Sequence, residues 1–131
     1  MLQRLLLLFF IGLNIQVYSQ PQTIAAFKKG DVSLLSNVLA DKVNLTFDDQ
    51  SEILNKTQAL VKLEGFFKEH KITSFKSSHT GQSPDNNSFY TIGYLKTSTG
   101  TFRLFIKYSK VDGIERIKEM LFNSNDWILC S

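Results

Sequence analysis

From Ile72 onward the chain shows only strand-like stretches separated by turn residues, and no other feature narrows its fold so far. Residues 74–82, 88–97, 101–109 and 114–123 read as four strands. Between them stand Ser83-Pro84-Asp85-Asn86-Asn87, Thr97-Ser98-Thr99-Gly100 and Val111-Asp112-Gly113. Asp-Gly is a strong two-residue hairpin signal because both positions tolerate positive φ. Pairing Val111 with Ile114 across it sets Lys110, Tyr108, Ile106 and Leu104 opposite Glu115, Ile117, Glu119 and Leu121. Strands joined by turns this short run antiparallel. The second half of the chain is therefore a meander, and its apolar face needs a cover.

The cover lies upstream. Asn55 with Gln58 three residues on is a capping box, and Ala59, Leu63, Phe66, Phe67 and His70 follow at helical spacing. Gly65 interrupts this helix at a cost of about 1 kcal/mol against alanine, which points to a close backbone approach or a cavity beside it. His70 sits where the backbone dipole favours a cation, as a capping or surface residue. Earlier, Pro21, Ile24, Ala25 and Phe27 make a short helix closed by Lys28-Lys29-Gly30. Asp31 as cap, with Val32, Leu35, Val38 and Leu39, predicts a second short helix over 31–40. Val43, Leu45 and Phe47 alternate with Asn44, Thr46 and Asp48 as a half-buried strand, ended by Asp48-Asp49-Gln50-Ser51. Helices first and strands afterwards give an α+β domain, with the long helix laid across a curved antiparallel sheet of about four to five strands.

The N-terminus belongs to another task. Arg4, an apolar run over 5–13 and a polar end over 14–20 have the three parts of an export signal, with Val17 and Ser19 placed for cleavage before Gln20. The run is about half the length of a bilayer-spanning helix, so the expectation is a cleaved signal over 1–19, a single domain over 20–131, no membrane span afterwards, and a periplasmic or extracellular location. Without Arg4 the formal charge of +3 falls to +2. With Lys28-Lys29 and Arg116 with Lys118 as the only close basic pairs, a nucleic-acid surface is not expected. Cys130 is the only cysteine, so packing rather than a disulfide must stabilise the domain.

Several short segments together carry a family likeness. They are Thr57-Gln58-Ala59 leading to Phe66-Phe67, Phe75 followed by His79-Thr80-Gly81, Ile92-Gly93-Tyr94-Leu95, Lys96-Thr97, and Ser98-Thr99-Gly100-Thr101-Phe102-Arg103. In order and spacing, over about residues 23–122, the chain resembles the exported bacterial DUF4783 proteins. That resemblance implies an NTF2-like (cystatin-like) cone of undefined function, with a pocket between the long helix and the concave sheet face. The tail 123–131, with Trp127, Ile128 and Leu129, departs from the pattern. No reaction follows from the resemblance, because one cone serves dehydratases, isomerases, hydrolases and plain binding modules.

His79 shares strand parity with Phe75, so if one points into the cone both do. There it would be a general base, a ligand contact or a structural histidine. Tyr90 and Tyr94 share a strand face with Ile92, either as half-buried packing or as polarisers of a carbonyl. Gly93 leaves the opposite face bare for a helix or ligand. Arg103 would hold an anion or pair with a cross-strand carboxylate. Phe66 and Phe67 would line the pocket. No HExxH, paired cysteine, glycine-rich phosphate loop or Gly-x-Ser-x-Gly elbow is present, so no metal or cofactor is expected.

Two functions remain. The first is a non-catalytic module that binds a small apolar ligand in its cone, or a partner on its sheet face, either a second copy or another envelope protein. The second is a pocket enzyme of isomerase or dehydratase type, with His79 as base and Tyr90 or Tyr94 beside it. A cavity between Phe66, Phe67 and His79 separates the two.

Overall fold

The computed structural model describes residues 21–82, 84, 87–111 and 113–124. The expected export segment, Asp112 and the tail from 125 onward, with Trp127 and Cys130, lie outside them. The described elements are α1 (Pro21–Lys29), a 3-10 helix (Val32–Leu35), β1 (Leu39–Phe47), β2 (Gln50–Asn55), α2 (Lys56–Glu69), β3 (Ile72–Gln82), β4 (Ser88–Thr97), β5 (Gly100–Val111) and β6 (Ile114–Ser124). The strands form one sheet in the order β2-β1-β6-β5-β4-β3. β1 runs parallel to β6, and every other pair is antiparallel. The chain is thus α+β with six strands among the described residues.

The helix expected over 31–40 is a correction. Asp31 does cap a turn, accepting from Ser33 N at 3.0 Å and Ser33 Oγ at 2.6 Å. After Leu35 the chain turns toward β1: just before the strand Val38 O accepts from Ile117 N at 2.7 Å, and Leu39, its first residue, lies beside Ile117. Ladder pairing with β6 outweighs the weak local preference of a short helix. β2 carries no periodic signal, since only Leu54 is even half-buried. It is held by its ladder with β1 and by hydroxyl and amide groups: Ser51 Oγ donates to Asn44 Oδ1 at 2.7 Å, and Thr46 Oγ1 to Ser51 Oγ at 3.1 Å.

The meander has its expected strands, and Gly113 closes the last hairpin at φ 78°. Val111 pairs with Ile114, Lys110 with Glu115 and Tyr108 with Ile117. Beyond that, Lys118 is an extra residue, so Ile106 meets Met120 and Leu104 meets Phe122 instead of Glu119 and Leu121. The bulge keeps four buried side chains on the inner face. β3 carries two bulges, at Thr73 and Ser78. Each extra residue donates its hydroxyl to a β4 carbonyl, Thr73 to Lys96 at 3.1 Å and Ser78 to Ile92 at 3.2 Å.

The core lies between the sheet's inner face and the two helices. The capping box of α2 is formed, with Gln58 N donating to Asn55 Oδ1 at 2.8 Å and Asn55 N to Gln58 Oε1 at 3.1 Å. Ala59, Leu63, Phe66 and Phe67 point inward. Phe27 of α1 sits among Phe67, Phe75 and Phe122 at ring separations of 5.9, 5.5 and 6.4 Å. Phe75 also lies over Gly93, where an added Cβ would stand 2.7 Å from its ring, so neither a helix nor a ligand occupies the space that Gly93 leaves.

Candidate functional site

The helix that covers the sheet leaves one flank open. Between α2, the β1–β2 hairpin and the ends of β5 and β6 lies a cleft of about 990 Å³. Its apolar wall is Phe47, Leu54, Val61, Phe66, Phe102 and Phe122. Phe66 is its centre, with Phe47, Phe102 and Phe122 at ring separations of 5.3, 5.1 and 4.8 Å. Val61 is 65% exposed, a large apolar side chain facing open space. One turn later comes Gly65, where an added Cβ meets nothing within 4 Å. Of the two reasons a glycine interrupts this helix, the cavity is the one realised.

Polar groups stand at the rim, and several are already engaged. Asp48, at φ 57° in the β1–β2 turn, accepts from Ser124 N at 2.8 Å and Ser124 Oγ at 3.1 Å. Lys62 reaches Glu52 across the mouth at 3.4 Å, an exposed pair of small energetic weight. His70 caps α2 and packs against Phe66 and Phe102 at 4.5 and 5.1 Å. Its Nδ1 lies 2.5 Å from Thr99 Oγ1, and its Nε2 lies 3.7 Å from the Glu69 carboxylate. The β4–β5 turn that carries Thr99 is tied to the helix end by Ser98 N donating to Lys71 O at 2.8 Å. Among the described residues no three His, Cys, Asp or Glu side chains converge as a metal site.

Of the candidates read from the sequence, Phe66 lines this cleft. Phe67 is buried edge-on to Phe27 and borders a second, more polar hollow beside the 3-10 helix. His79 is a correction. The bulge at Ser78 reverses its parity, so it pairs with Ile92 on the outer face and is exposed. Tyr90 and Tyr94 share that outer face, and the His79 and Tyr90 rings are 6.0 Å apart on an open sheet rather than in a cavity. Arg103 is there too, opposite Tyr94 and Asn123, with no carboxylate partner among the described residues. The residue that reasoning from sequence undervalued is His70. Its signal was its place at the end of the apolar stripe of α2.

A match to known proteins can now be set beside this geometry. The model of the domain of unknown function DUF4783 matches residues 21–123. The chain belongs to the DUF4783 family. The solved DUF4783 protein of Bacteroides ovatus is 31% identical at a TM-score of 0.78, over 81% of this chain and 94% of that one. The Bacteroides uniformis member is 32% identical at 0.77, over 82% and 97%. An NTF2-like protein of Cytophaga hutchinsonii, 13% identical at 0.60 over 80% and 91%, shares the fold. No curated protein matches the chain. This DUF4783 domain is accordingly an NTF2-like fold. Among its described residues no helix is long and apolar enough to cross a membrane.

Proposed function

We infer that this DUF4783 domain is an exported, non-catalytic binding module that takes a small apolar ligand in the cleft beside α2. The observation that carries the reading is the wall of that cleft: six apolar side chains on a space of about 990 Å³, with Gly65 withholding a side chain from the helix flank. Ligand sites are mostly apolar hollows with a few polar groups, and this one has its polar groups at the rim. The acid–base groups nearest the cleft are tied to neighbours, Asp48 to Ser124 and His70 to Thr99. The isomerase or dehydratase alternative loses its support, because His79 and the tyrosines meet on the outer face. Export, to the periplasm or beyond the cell, rests on Arg4 and the apolar run 5–13.

Titration with anilinonaphthalene sulfonate tests the cleft. Saturable binding at one site that Gly65→Phe abolishes, with the far-UV spectrum unchanged, is the expected result. Binding that survives Gly65→Phe unaltered would refute it.

A second reading has its own observation. The outer sheet face carries Tyr90, Ile92, Phe105 and Leu121 as a half-buried strip, with Tyr94 39% exposed beside it. Such a strip suits a second copy of the chain or another envelope protein. Light scattering after size exclusion at tens of micromolar checks the homodimer, and a clean monomer would count against it.

A further inference from the structure

Where β1 enters the sheet it parts from its neighbour. Leu39 lies beside Ile117 and Asn44 beside Glu119, so β1 uses four residues to span what β6 crosses with Lys118 alone. The surplus bows β1 away from β6, and a hollow of about 470 Å³ opens there, bordered by the first residue of α2. Its lining brings Lys42, Lys56, Arg116 and Lys118 together against one carboxylate, Asp41. Those three net positive charges equal the formal charge of the whole chain, +3, so the rest of the molecule is neutral in sum. None of the four cations has a carboxylate within ion-pair distance among the described residues. The other acids of β6 next to them, Glu115 and Glu119, stand opposite Lys110 and Lys107 of β5.

We propose that this hollow binds a small phosphorylated molecule through its phosphomonoester or diphosphate group, with Arg116 as the fork on the phosphate oxygens and Lys42, Lys56 and Lys118 as the surrounding charges. Arg116 is already positioned, because its Nη1 donates to the Asn37 carbonyl. That bond uses one of the five N–H donors of a guanidinium, and the planar fork matches phosphate geometry. Lys56 and Arg116 are half-buried, so their charges are screened less than those of fully exposed side chains. Lys56 is also the first residue of α2, where the backbone dipole adds partial positive charge and an acidic side chain is the favoured occupant. Four cations and a helix start of the same sign repel one another, and a group with two or more negative charges relieves that repulsion where a single carboxylate would not. The volume lies within the range of small-molecule sites, so the organic part of an ester fits beside its phosphate. Ile114, 53% exposed at the rim, offers that part an apolar contact. The hollow shares no lining residue with the cleft beside α2, and its ligand does not depend on one there.

Isothermal titration calorimetry of the native chain with glucose 6-phosphate and with inorganic pyrophosphate tests the site. Both should bind saturably, one per chain, whereas glucose should not, and a tenfold rise in ionic strength should weaken binding several-fold. Lys56→Glu and Lys118→Glu should each weaken it at least tenfold while the far-UV spectrum stays native. Lys118 is exposed, so its variant keeps the test open should Lys56→Glu fail to fold. Lys28→Glu makes the same change of charge on α1, outside the hollow, and should alter binding less than twofold. Gly65→Phe should leave it unchanged. Absence of saturable binding by either ligand at millimolar concentration overturns the proposal. Equal weakening by Lys28→Glu and Lys118→Glu also overturns it, since net charge alone would then be responsible. Loss of binding in Gly65→Phe overturns it in favour of the cleft beside α2, and loss of dye binding there with phosphate binding intact strikes the cleft reading alone. Cosedimentation with phosphatidylcholine vesicles containing phosphatidic acid, without binding of either soluble ligand, overturns it in favour of an anionic membrane surface.

Discussion

Gly65→Ala and Gly93→Ala make the same chemical change at two exposed-looking positions of the sequence, and the structure sets opposite signs for them. At Gly65 the new methyl meets nothing within 4 Å. The helix then gains the difference between glycine and alanine in a helix interior, about 1 kcal/mol. For a domain near 100 residues that raises Tm by about 4–8 °C. At Gly93 the new Cβ would stand 2.7 Å from Phe75 Cζ and 2.8 Å from the Lys76 carbonyl oxygen. The Phe75 ring is enclosed by Phe27 at 5.5 Å, and the carbonyl belongs to the β3–β4 ladder, so neither can move freely. Overpacking of this kind costs about 1–3 kcal/mol, which lowers Tm by roughly 5–20 °C. Urea unfolding followed by far-UV circular dichroism, with calorimetry for Tm, measures both. A shift of the same sign for the two variants would refute the reasoning, since it would mean that local propensity and not the space around each glycine governs the outcome.

Two further outcomes follow from particular groups. Burial pushes the Tyr108 phenol up to about 12 from its ordinary value near 10, with the Thr91 and Thr23 hydroxyls pulling it partly back and Glu115 adding a smaller push upward. The unfolded chain therefore releases this proton first, and stability that is complete below about pH 10 falls as the pH rises toward 12, by up to about 3 kcal/mol at 1.36 kcal/mol per unit. Tyr108→Phe should flatten that alkaline limb in pH-dependent urea unfolding; an unchanged limb would remove Tyr108 as its source. Asn55→Ala removes the bond that the Asn55 side chain accepts from Gln58 N, leaving the backbone N of residue 55 free to donate to Gln58 Oε1, and should cost about 1 kcal/mol, read from the urea midpoint, whereas Asn55→Asp should retain most of it.

The elements that were legible in sequence are those whose signal is local. α2 announced itself through Asn55, Gln58 and the Ala59, Leu63, Phe66, Phe67 stripe, and the β5–β6 hairpin through Asp112-Gly113. β1 was legible only from Val43 on. Its first residues, Leu39 and Ala40, carry a helix-like pattern, and their ladder partner Ile117 is nearly eighty positions away. β2 was silent because a strand with one half-buried side chain has no period to read.

What the sequence determined by itself is the class of the molecule: an α+β domain, one long capped helix, a meander, and a family. What the tertiary structure decided is which side chains share a face and where space remains. A bulge adds one residue and reverses every side chain after it, and bulges form where a sheet must curve around its covering helix, which no local pattern records. The bulge at Ser78 turned His79 outward, and the one at Lys118 kept Met120 and Phe122 inward. The cleft itself depends on β2 and on the end of β6, elements far apart along the chain. Only Gly65 hinted at it, by standing where a helix would otherwise have a side chain.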